Sequence, residues 1–307
     1  MNRIVLLIVC LLMTPIVTGC SGTMRAVAAN GTVDIMVAGK PSVDRETDIG
    51  LARVGAESNL ALMAGLRETV PDNEDLLLLM AEGYGGYAFG FVEDDLDQLE
   101  DTDDLYDETL ERAYGIYGKG VEAARAWLKL RHEDLPDVVS STDGEADRAL
   151  AAMTAEDVPG LFWLGNSWSS QVNLKQDDPA EVLSLGRIEM IMSRALELDE
   201  TFFDGGPHLF FGVVKCSAGK QLNDETESAA KHFARAWEIS KEKNLMVRAL
   251  EARWLLKALG DREKLEEALQ SIVDAEIDSP RHNLINTLAK RRAARWLDNL
   301  DALIPEL

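Results

Sequence analysis

Apolar residues recur at steps of three and four along most of this chain, and no other feature limits its fold as strongly. One series consists of Leu110, Ala113, Tyr114, Tyr117, Val121, Ala124 and Leu128. Since residues three and four apart lie on the same face of a helix, such a series predicts a helix with one buried face. Few segments alternate with the period of two that strands need. The sequence therefore predicts an all-α fold.

Helix starts and stops support this prediction. Asp178, Pro179 and Glu181 place a capping acid, a first-turn proline and a capping glutamate in order. Ser279-Pro280 predicts the start of the last helix. Gly260 has the position of a residue that ends one helix before the next begins.

The predicted helices fall into pairs that resemble one another. Small residues inside the helices, such as Gly165 and Gly212, would let neighbouring helices approach closely. We therefore expect about four degenerate tetratricopeptide-like hairpins in an α-solenoid-like bundle. The pairs are residues 76–91 with 109–130, the helix of 161–165 with 188–199, the helix of 209–212 with 228–240, and 245–259 with 265–273.

The N-terminus predicts export and lipidation. Arg3 precedes the uncharged apolar run from Ile4 to Met13, and Val17-Thr18-Gly19-Cys20 follows it. This is the layout of a secretory signal, and its end resembles the lipobox of bacterial lipoproteins, whose cysteine carries lipid. A single transmembrane anchor is the alternative, but Pro15 and Gly19 interrupt a run too short to span comfortably.

These features divide the chain into three parts. Residues 1–19 are predicted to be a signal peptide, residues 20–45 a lipidated N-terminus and tether, and residues 46–307 the helical-repeat domain. The predicted location is the periplasmic side of a bacterial membrane. Ser21, where an aspartate would favour retention at the inner membrane, favours the outer membrane.

Charge and cysteine content exclude several classes of function. The net charge of −23 at pH 7 leaves no basic surface for nucleic acid, and anionic headgroups would repel the chain. Membrane contact should therefore depend on the lipid alone, and partners should be proteins or small molecules. Cys216 is left without a partner once Cys20 carries lipid, so no intrachain disulfide is expected.

No motif indicates catalysis, a cofactor or a metal. Gly83 to Ala88 fits the letters of a dinucleotide-binding pattern, but its surroundings are helical, so close helix packing is the preferred interpretation. The acidic run from Glu93 to Glu111 lacks the glycine of a calcium-binding loop and is interpreted as a solvated loop. The four histidines are scattered without metal-ligand spacing. We therefore expect no enzyme activity, no cofactor and no bound metal.

Three further segments allow two interpretations each. Residues 161–168 with Asn173, and residues 205–212 with His208, form either core aromatics beside helix starts or an apolar groove with a few polar groups. The basic cluster near the C-terminus is by default a solvated helix face, or else a docking face for an acidic protein surface, including another copy of this chain. That cluster consists of Lys290, Arg291, Arg292 and Arg295.

The order of these motifs resembles a known family. The sequence has a lipobox, then residues 71–73 leading into 76–84, residues 87–91, 161–165 with Trp168, 195–199, 205–208 and 231–233. In this order they are similar to the T-component (TatT-type) lipoproteins of tripartite ATP-independent periplasmic (TRAP) transporters. The resemblance covers about residues 45–260 and consists of packing motifs.

The resemblance implies a non-enzymatic helical lipoprotein that assists uptake of a small organic or hydrophobic ligand. It also implies a homotrimer that associates with the periplasmic solute-binding subunit, with a pore or concavity facing that subunit's ligand cleft. By this analogy, the candidates for lining the passage or contacting the partner are Tyr84, Tyr87, Trp163, Trp168, Asn173 and His208. The alternatives are a general scaffold lipoprotein for envelope protein assembly and a hydrolase with an unrecognised site.

Overall fold

The computed structural model describes residues 17–217 and 225–305, without the side chains of residues 17–21 and 217. Every regular element in these ranges is helical, which confirms the all-α prediction. The main helices are α1 (Val17–Asp44), α2 (Ile49–Arg67), α3 (Glu74–Tyr87), α4 (Tyr106–Arg131), α5 (Asp143–Ala152), α6 (Val158–Leu174), α7 (Leu185–Leu198), α8 (Phe202–Ser217), α9 (Thr226–Ile239), α10 (Leu245–Leu250), α11 (Arg262–Asp274) and α12 (Asn283–Asp298).

Short elements extend or precede several of these helices. A π-helical turn, Ala88–Val92, and an α-helical turn, Glu93–Leu96, continue α3, while Glu251–Leu256 (π) and Lys257–Leu259 continue α10. The 3₁₀ turns Ala155–Asp157 and Pro280–His282 lead into α6 and α12. Single turns at Pro179–Val182 and Leu300–Leu303 complete the set.

Local sequence explains many of the helix ends. The Asn73 side chain accepts from Leu76 N at 2.7 Å and so caps α3, and Asp261 caps α11 by accepting from Lys264 N. Asp178 accepts from Ala180 N, as its spacing predicts, but the helix that it starts lasts only from Pro179 to Val182. The helix α10 and its two continuations, residues 245–259, are called the α10 segment. Gly260 has φ +72° and ends this segment in the left-handed conformation, as expected.

The segment after Cys20 is a helix, and its role as a tether stays a prediction. Ala29 and Val33 lie one turn apart on α1 and are buried, while Met24, Val27 and Ile35 are exposed. The Gly, Ala, Thr and Ser residues around Ala29 and Val33 give no clear apolar spacing, so the sequence does not predict this helix. The predicted lipidation of Cys20 and the signal peptide lie mostly outside the described residues and side chains, and the domain boundaries stay a prediction.

The helices that the sequence pairs are in contact: α3 with α4, α6 with α7, α8 with α9, and the α10 segment with α11. Their relation as tetratricopeptide-like repeats stays a prediction. One crossing of three helices joins α3, α4 and α6. A Cβ atom on Gly85 or on Gly120 would lie 2.9 Å from Ser167 Oγ, so these glycines permit the approach of the three helices. The packing interpretation of the Gly83–Ala88 glycines therefore fits the position of Gly85.

The basic cluster of the last helix is partly buried, and its interpretation as a solvated face is wrong for Arg292 and Arg295. Arg292 is 5% exposed and Asp94 is 2% exposed. Asp94 Oδ1 lies 3.3 Å from Arg292 Nε and 2.8 Å from Arg295 Nη2. The first turn of the acidic run, Glu93–Leu96, is accordingly a helical turn packed on α12 and not a solvated loop.

Candidate functional site

Four aromatic rings from α6 and α8 form a cluster that reaches the surface. Phe203 lies over Phe162 with ring centroids 5.6 Å apart and over Trp163 at 4.9 Å. Phe202 joins them, 5.3 Å from Phe162 in an edge-to-face arrangement. Phe162 and Trp163 are buried, but Phe203 is 52% exposed. We call these four residues the aromatic cluster; it presents one large ring to solvent above a buried tryptophan.

A strained backbone turn holds Phe203 in this position. Phe203, Asp204 and Gly205 have φ of 49°, 57° and 80°, which makes three consecutive residues left-handed. This conformation costs of order 1–2 kcal/mol for each residue with a side chain. Such strain persists only where the surroundings enforce it, and it often marks functional sites. Here Gly206 must be glycine-sized, because a Cβ would lie 2.5 Å from Phe162 Cε2.

Charged groups anchor the strained turn to the start of α12. Asp204 accepts from Arg281 Nη2 at 2.5 Å, and its other oxygen lies 2.8 Å from His282 Nε2. The other ring nitrogen of His282 is 2.7 Å from Ser279 Oγ. His282 is buried and lies 78 residues after Asp204, so a contact between distant parts of the sequence fixes the turn.

A second group of charges, between α1 and α3, lies near the first. Lys40 Nζ is 2.5 Å from Glu82 Oε2. Burial raises the pKa of Glu82 above its usual value, although Lys40 opposes the effect. Burial likewise raises the pKa of Asp44, and its interaction with Asp204 adds to that shift while Lys40 and Arg281 oppose it. The charges of α1, α3, α8 and α12 therefore form one coupled polar region beside the aromatic cluster.

The tyrosines predicted as site residues lie on α3. Tyr84 is 8% exposed and stacks under Lys119, whose Nζ is 5.7 Å from the ring centroid. Tyr87 is 4% exposed; its hydroxyl donates to Glu57 Oε1 at 2.5 Å and accepts from Arg112 at 2.7 Å. Burial is the main reason that the pKa of each tyrosine is raised.

The predicted residues of α6 have different exposures along the helix. Trp163 is buried in the aromatic cluster and lies 3.5 Å from the position of a Cβ on Gly85, so α3 and α6 bring Tyr84 and Trp163 into the same region. Trp168 is half-buried against the core. Asn173, near the end of α6, is exposed.

His208 belongs to a separate cluster on α8 and α9. Its Nδ1 is 2.9 Å from His232 Nδ1, and its Nε2 is 3.0 Å from Glu200 Oε2. Arg235 also binds Glu200, and Arg235 and His208 lower the pKa of Glu200 to about 2. Burial, with the charge of His208, lowers the pKa of His232 to about 4. The structure therefore places His208 in a chain of polar contacts away from the tyrosines.

Sequence reasoning missed the parts of the site that depend on distant contacts. Phe203, Asp204 and His282 belong to no segment that the sequence analysis singled out, although residues 205–212, which it did single out, begin directly after Asp204. Lys40 was assigned to the tether, so its contact with Glu82 was not foreseen.

A buried polar group also lies at the helix crossing: Ser167 Oγ has no hydrogen-bond partner among the described residues. Two described cavities, one lined by Cys216 and Arg253 and one by Arg125 and Met153, include none of the predicted residues.

Two observations bear on metal binding and membrane insertion. In the described ranges, no group of three or more His, Cys, Asp or Glu is placed to hold a metal ion. No helix within residues 17–217 and 225–305 is long and apolar enough to cross a membrane.

Comparison with known proteins assigns the chain to a family. The family model described as TRAP transporter T-component matches residues 45–304, which is nearly everything after α1. The chain belongs to this family. It is also 22% identical over 254 residues to an uncharacterized protein of Treponema pallidum (strain Nichols), which covers 82% of this chain and 79% of that protein. Membership of the T-component family indicates a role in a TRAP transporter and a membrane-associated location.

Proposed function

We propose that this T-component acts outside the inner membrane as a non-enzymatic lipoprotein, anchored through Cys20, that associates with the solute-binding subunit of a TRAP transporter. It assists uptake of a small organic or hydrophobic ligand. The observation that carries the proposal is the family match over residues 45–304. The signal-like N-terminus supports the periplasmic side, with the outer membrane preferred, and a homotrimer is the proposed assembly.

The aromatic cluster is the proposed contact or passage region. Phe203 offers an exposed ring on a turn that the protein strains its backbone to hold, and the buried Trp163 lies directly behind it. The low exposure of Tyr84, Tyr87 and Trp163 favours a lining or supporting role for them over direct contact with a partner. Asn173 is exposed and Trp168 is half-buried, so these two can contact a partner, whereas the His208 side chain is only 12% exposed and has a supporting role.

Affinity purification of the lipidated protein from its own cells tests this proposal. Mass spectrometry of the eluate should find a periplasmic solute-binding protein in near-equal amount. Phe203→Ala should reduce its yield severalfold, because Phe203 is the exposed ring of the cluster. Leu183→Ala is the matched control, since Leu183 is 85% exposed on the turn before α7 and lies outside the cluster.

The same experiment separates the alternatives. Envelope-assembly proteins in place of a solute-binding protein would favour the scaffold lipoprotein. Equal loss of the solute-binding protein with both variants would remove the aromatic cluster from the proposal. Light scattering of the detergent-solubilised protein measures whether it is a trimer.

A further inference from the structure

A cavity of about 350 Å³ lies between α8 and the α10 segment, away from the aromatic cluster. Cys216 comes from α8, and the other lining residues come from the π-helical turn and the α-helical turn that follow α10. A π-helical turn widens the helix locally and is frequent at functional sites. The lining residues are Cys216, Arg253, Trp254, Lys257 and Ala258.

Both charged side chains of this cavity are cations, in a chain with 54 acidic and 31 basic residues. The side chains of Arg253 and Lys257 form no hydrogen bond and no ion pair with any described residue. The difference from their neighbours is clear: Arg248, on the same segment, pairs with Glu251 at 2.6 Å. Arg295 pairs with Asp94 and Asp97.

Asp97 is the carboxylate whose charge favours the charged forms of Arg253 and Lys257, and it already has two donors. Asp97 Oδ2 accepts from Arg295 Nη2 and from Trp296 Nε1, each at 2.7 Å. Arg253 instead lies between two indole rings, its guanidinium carbon 5.9 Å from the ring centroids of Trp254 and Trp296. These faces attract the cation but do not neutralise it. Arg253 therefore keeps hydrogen-bond donors that no described carboxylate accepts.

Burial also disfavours the charge of both residues. It is the main reason that the pKa of Arg253 and the pKa of Lys257 are lowered, and their mutual repulsion lowers the pKa of Lys257 further. Two like charges held together in a partly desolvated place are costly unless an anion compensates them. Trp254, Ala258 and Cys216 supply the apolar part of the wall.

From this geometry we infer that the cavity between α8 and the α10 segment binds a small organic acid, whose carboxylate contacts Arg253 and Lys257 and whose apolar or aromatic body lies against Trp254. Arginine is suited to bidentate contact with a carboxylate. The size of the cavity matches small-molecule sites and not a macromolecular partner. The inference does not depend on the transport proposal, because it rests on residues outside the aromatic cluster.

Fluorine NMR of the detergent-solubilised full-length protein tests the site, with 4-fluorobenzoate as the probe. We expect saturable binding of the probe and little binding of its neutral analogue, 4-fluorobenzamide. Arg253→Gln and Lys257→Gln should each weaken binding at least tenfold, whereas Arg253→Lys should lose less. Lys231→Gln is the matched control, because it removes one positive charge from an exposed position on α9.

Folding and specificity controls complete the experiment. If Arg253 served only the fold, its replacement would lower the melting temperature; as a ligand-binding cation without an ion pair, its loss should leave that temperature unchanged or raise it. Equal binding of 4-fluorobenzamide, or equal weakening by Lys231→Gln, would overturn the inference. Displacement of the probe by inorganic phosphate at the same concentration would also overturn it, by showing no preference for an organic acid.

Discussion

At the scale of single residues, the contacts of Asp94 connect parts of the chain that are far apart in sequence. Its carboxylate accepts from Arg292 and Arg295 of α12, and Arg291 Nε lies 3.4 Å away. Asp94 and Arg292 are buried, and Arg292 has no other ion-pair partner among the described residues, so loss of the carboxylate would leave a buried cation unpaired, while Arg295 keeps its contact with Asp97. Asp94→Asn should therefore lower the free energy of unfolding by about 3 kcal/mol.

Asp95→Asn is the matched control for this change. Asp95 pairs with Arg53 at 2.5 Å, but both side chains are 33% exposed, so its loss should cost only about 0–1 kcal/mol. Urea unfolding of both variants measures the difference. Equal losses would mean that the contacts of Asp94 with α12 contribute no more than a surface pair.

Glu93, the neighbour of Asp94, gives a prediction about pH. Tyr117 donates to Glu93 Oε1 at 2.7 Å, but burial raises the pKa of this carboxyl above its ordinary value of 4.5. The folded protein then binds more protons than the unfolded chain around this pH, so stability falls as pH rises through the raised pKa. Glu93→Gln removes this dependence. The free energy of unfolding of the variant, relative to that of the natural protein, should therefore increase as pH rises from 4 to 7.

Glu145→Gln should show the opposite sign. Hydrogen bonds from the Thr142 hydroxyl and backbone lower the pKa of Glu145, so its contribution is present above the ordinary value of 4.5 and is lost as pH falls. Urea unfolding at pH 4 and pH 7 measures both variants. A difference for Glu93→Gln that does not change with pH would contradict the argument.

At the scale of elements, the left-handed turn of α8 should be intolerant of side chains at Gly205. Gly205 has φ +80°, and a Cβ there would lie 3.0 Å from Ala236 Cα of α9. Gly205→Ala should combine a backbone cost of about 1–2 kcal/mol with a clash that displaces α9. Gly260 has φ +72° but open space around it, so Gly260→Ala should show the backbone cost alone. Thermal unfolding compares the stabilities of the two variants. Equal losses of stability would show that α9 moves aside at no cost.

How far the sequence predicts the elements depends on whether their determinants are local. The α3–α4 and α8–α9 pairs are predicted by the apolar spacing within each helix, which a short stretch of sequence already shows. The burial of Arg292 cannot be predicted from local spacing, because its partner Asp94 is far away in sequence. The local pattern of α12 predicts a polar face. The strained turn is not predicted by its local sequence alone, because the position of Phe203 depends on packing against Phe162 of α6. Local spacing therefore predicts helices well and predicts charged contacts between helices poorly.

At the scale of the whole molecule, α1 is attached differently from the other helices. Its 28 residues span about 42 Å, yet its buried apolar residues are only Ala29 and Val33 among those whose side chains are described. Its polar contacts with other helices include the Lys40–Glu82 pair and a hydrogen bond from Asn73 to Asn30, and directly after its end Arg45 O accepts from Asn283. The Lys40–Glu82 pair is partly exposed, with Lys40 44% and Glu82 22% exposed, and such a pair stabilises only modestly. The family match also begins at residue 45, after α1 ends.

This weak attachment predicts that α1 leaves the body of the protein more easily than the internal helices open. A helix without packing partners is marginal in water, so undocked α1 should lose its protection as well as its contacts. Hydrogen exchange followed by mass spectrometry should find that amides of residues 22–44 exchange much faster than those of α6, which is buried along most of its length. Val33→Asp should accelerate exchange in α1 further and leave α6 unchanged, whereas Ile35→Asp, at an exposed position, should change neither. If Cys20 carries lipid as proposed, an α1 that detaches would let the helical body move away from its anchor and reach a more distant partner. The stretch from Cys20 to Asp44 spans about 36 Å while it is helical. If the amides of α1 exchanged as slowly as those of α6, α1 would be firmly docked, and the prediction of a helix that detaches would be wrong.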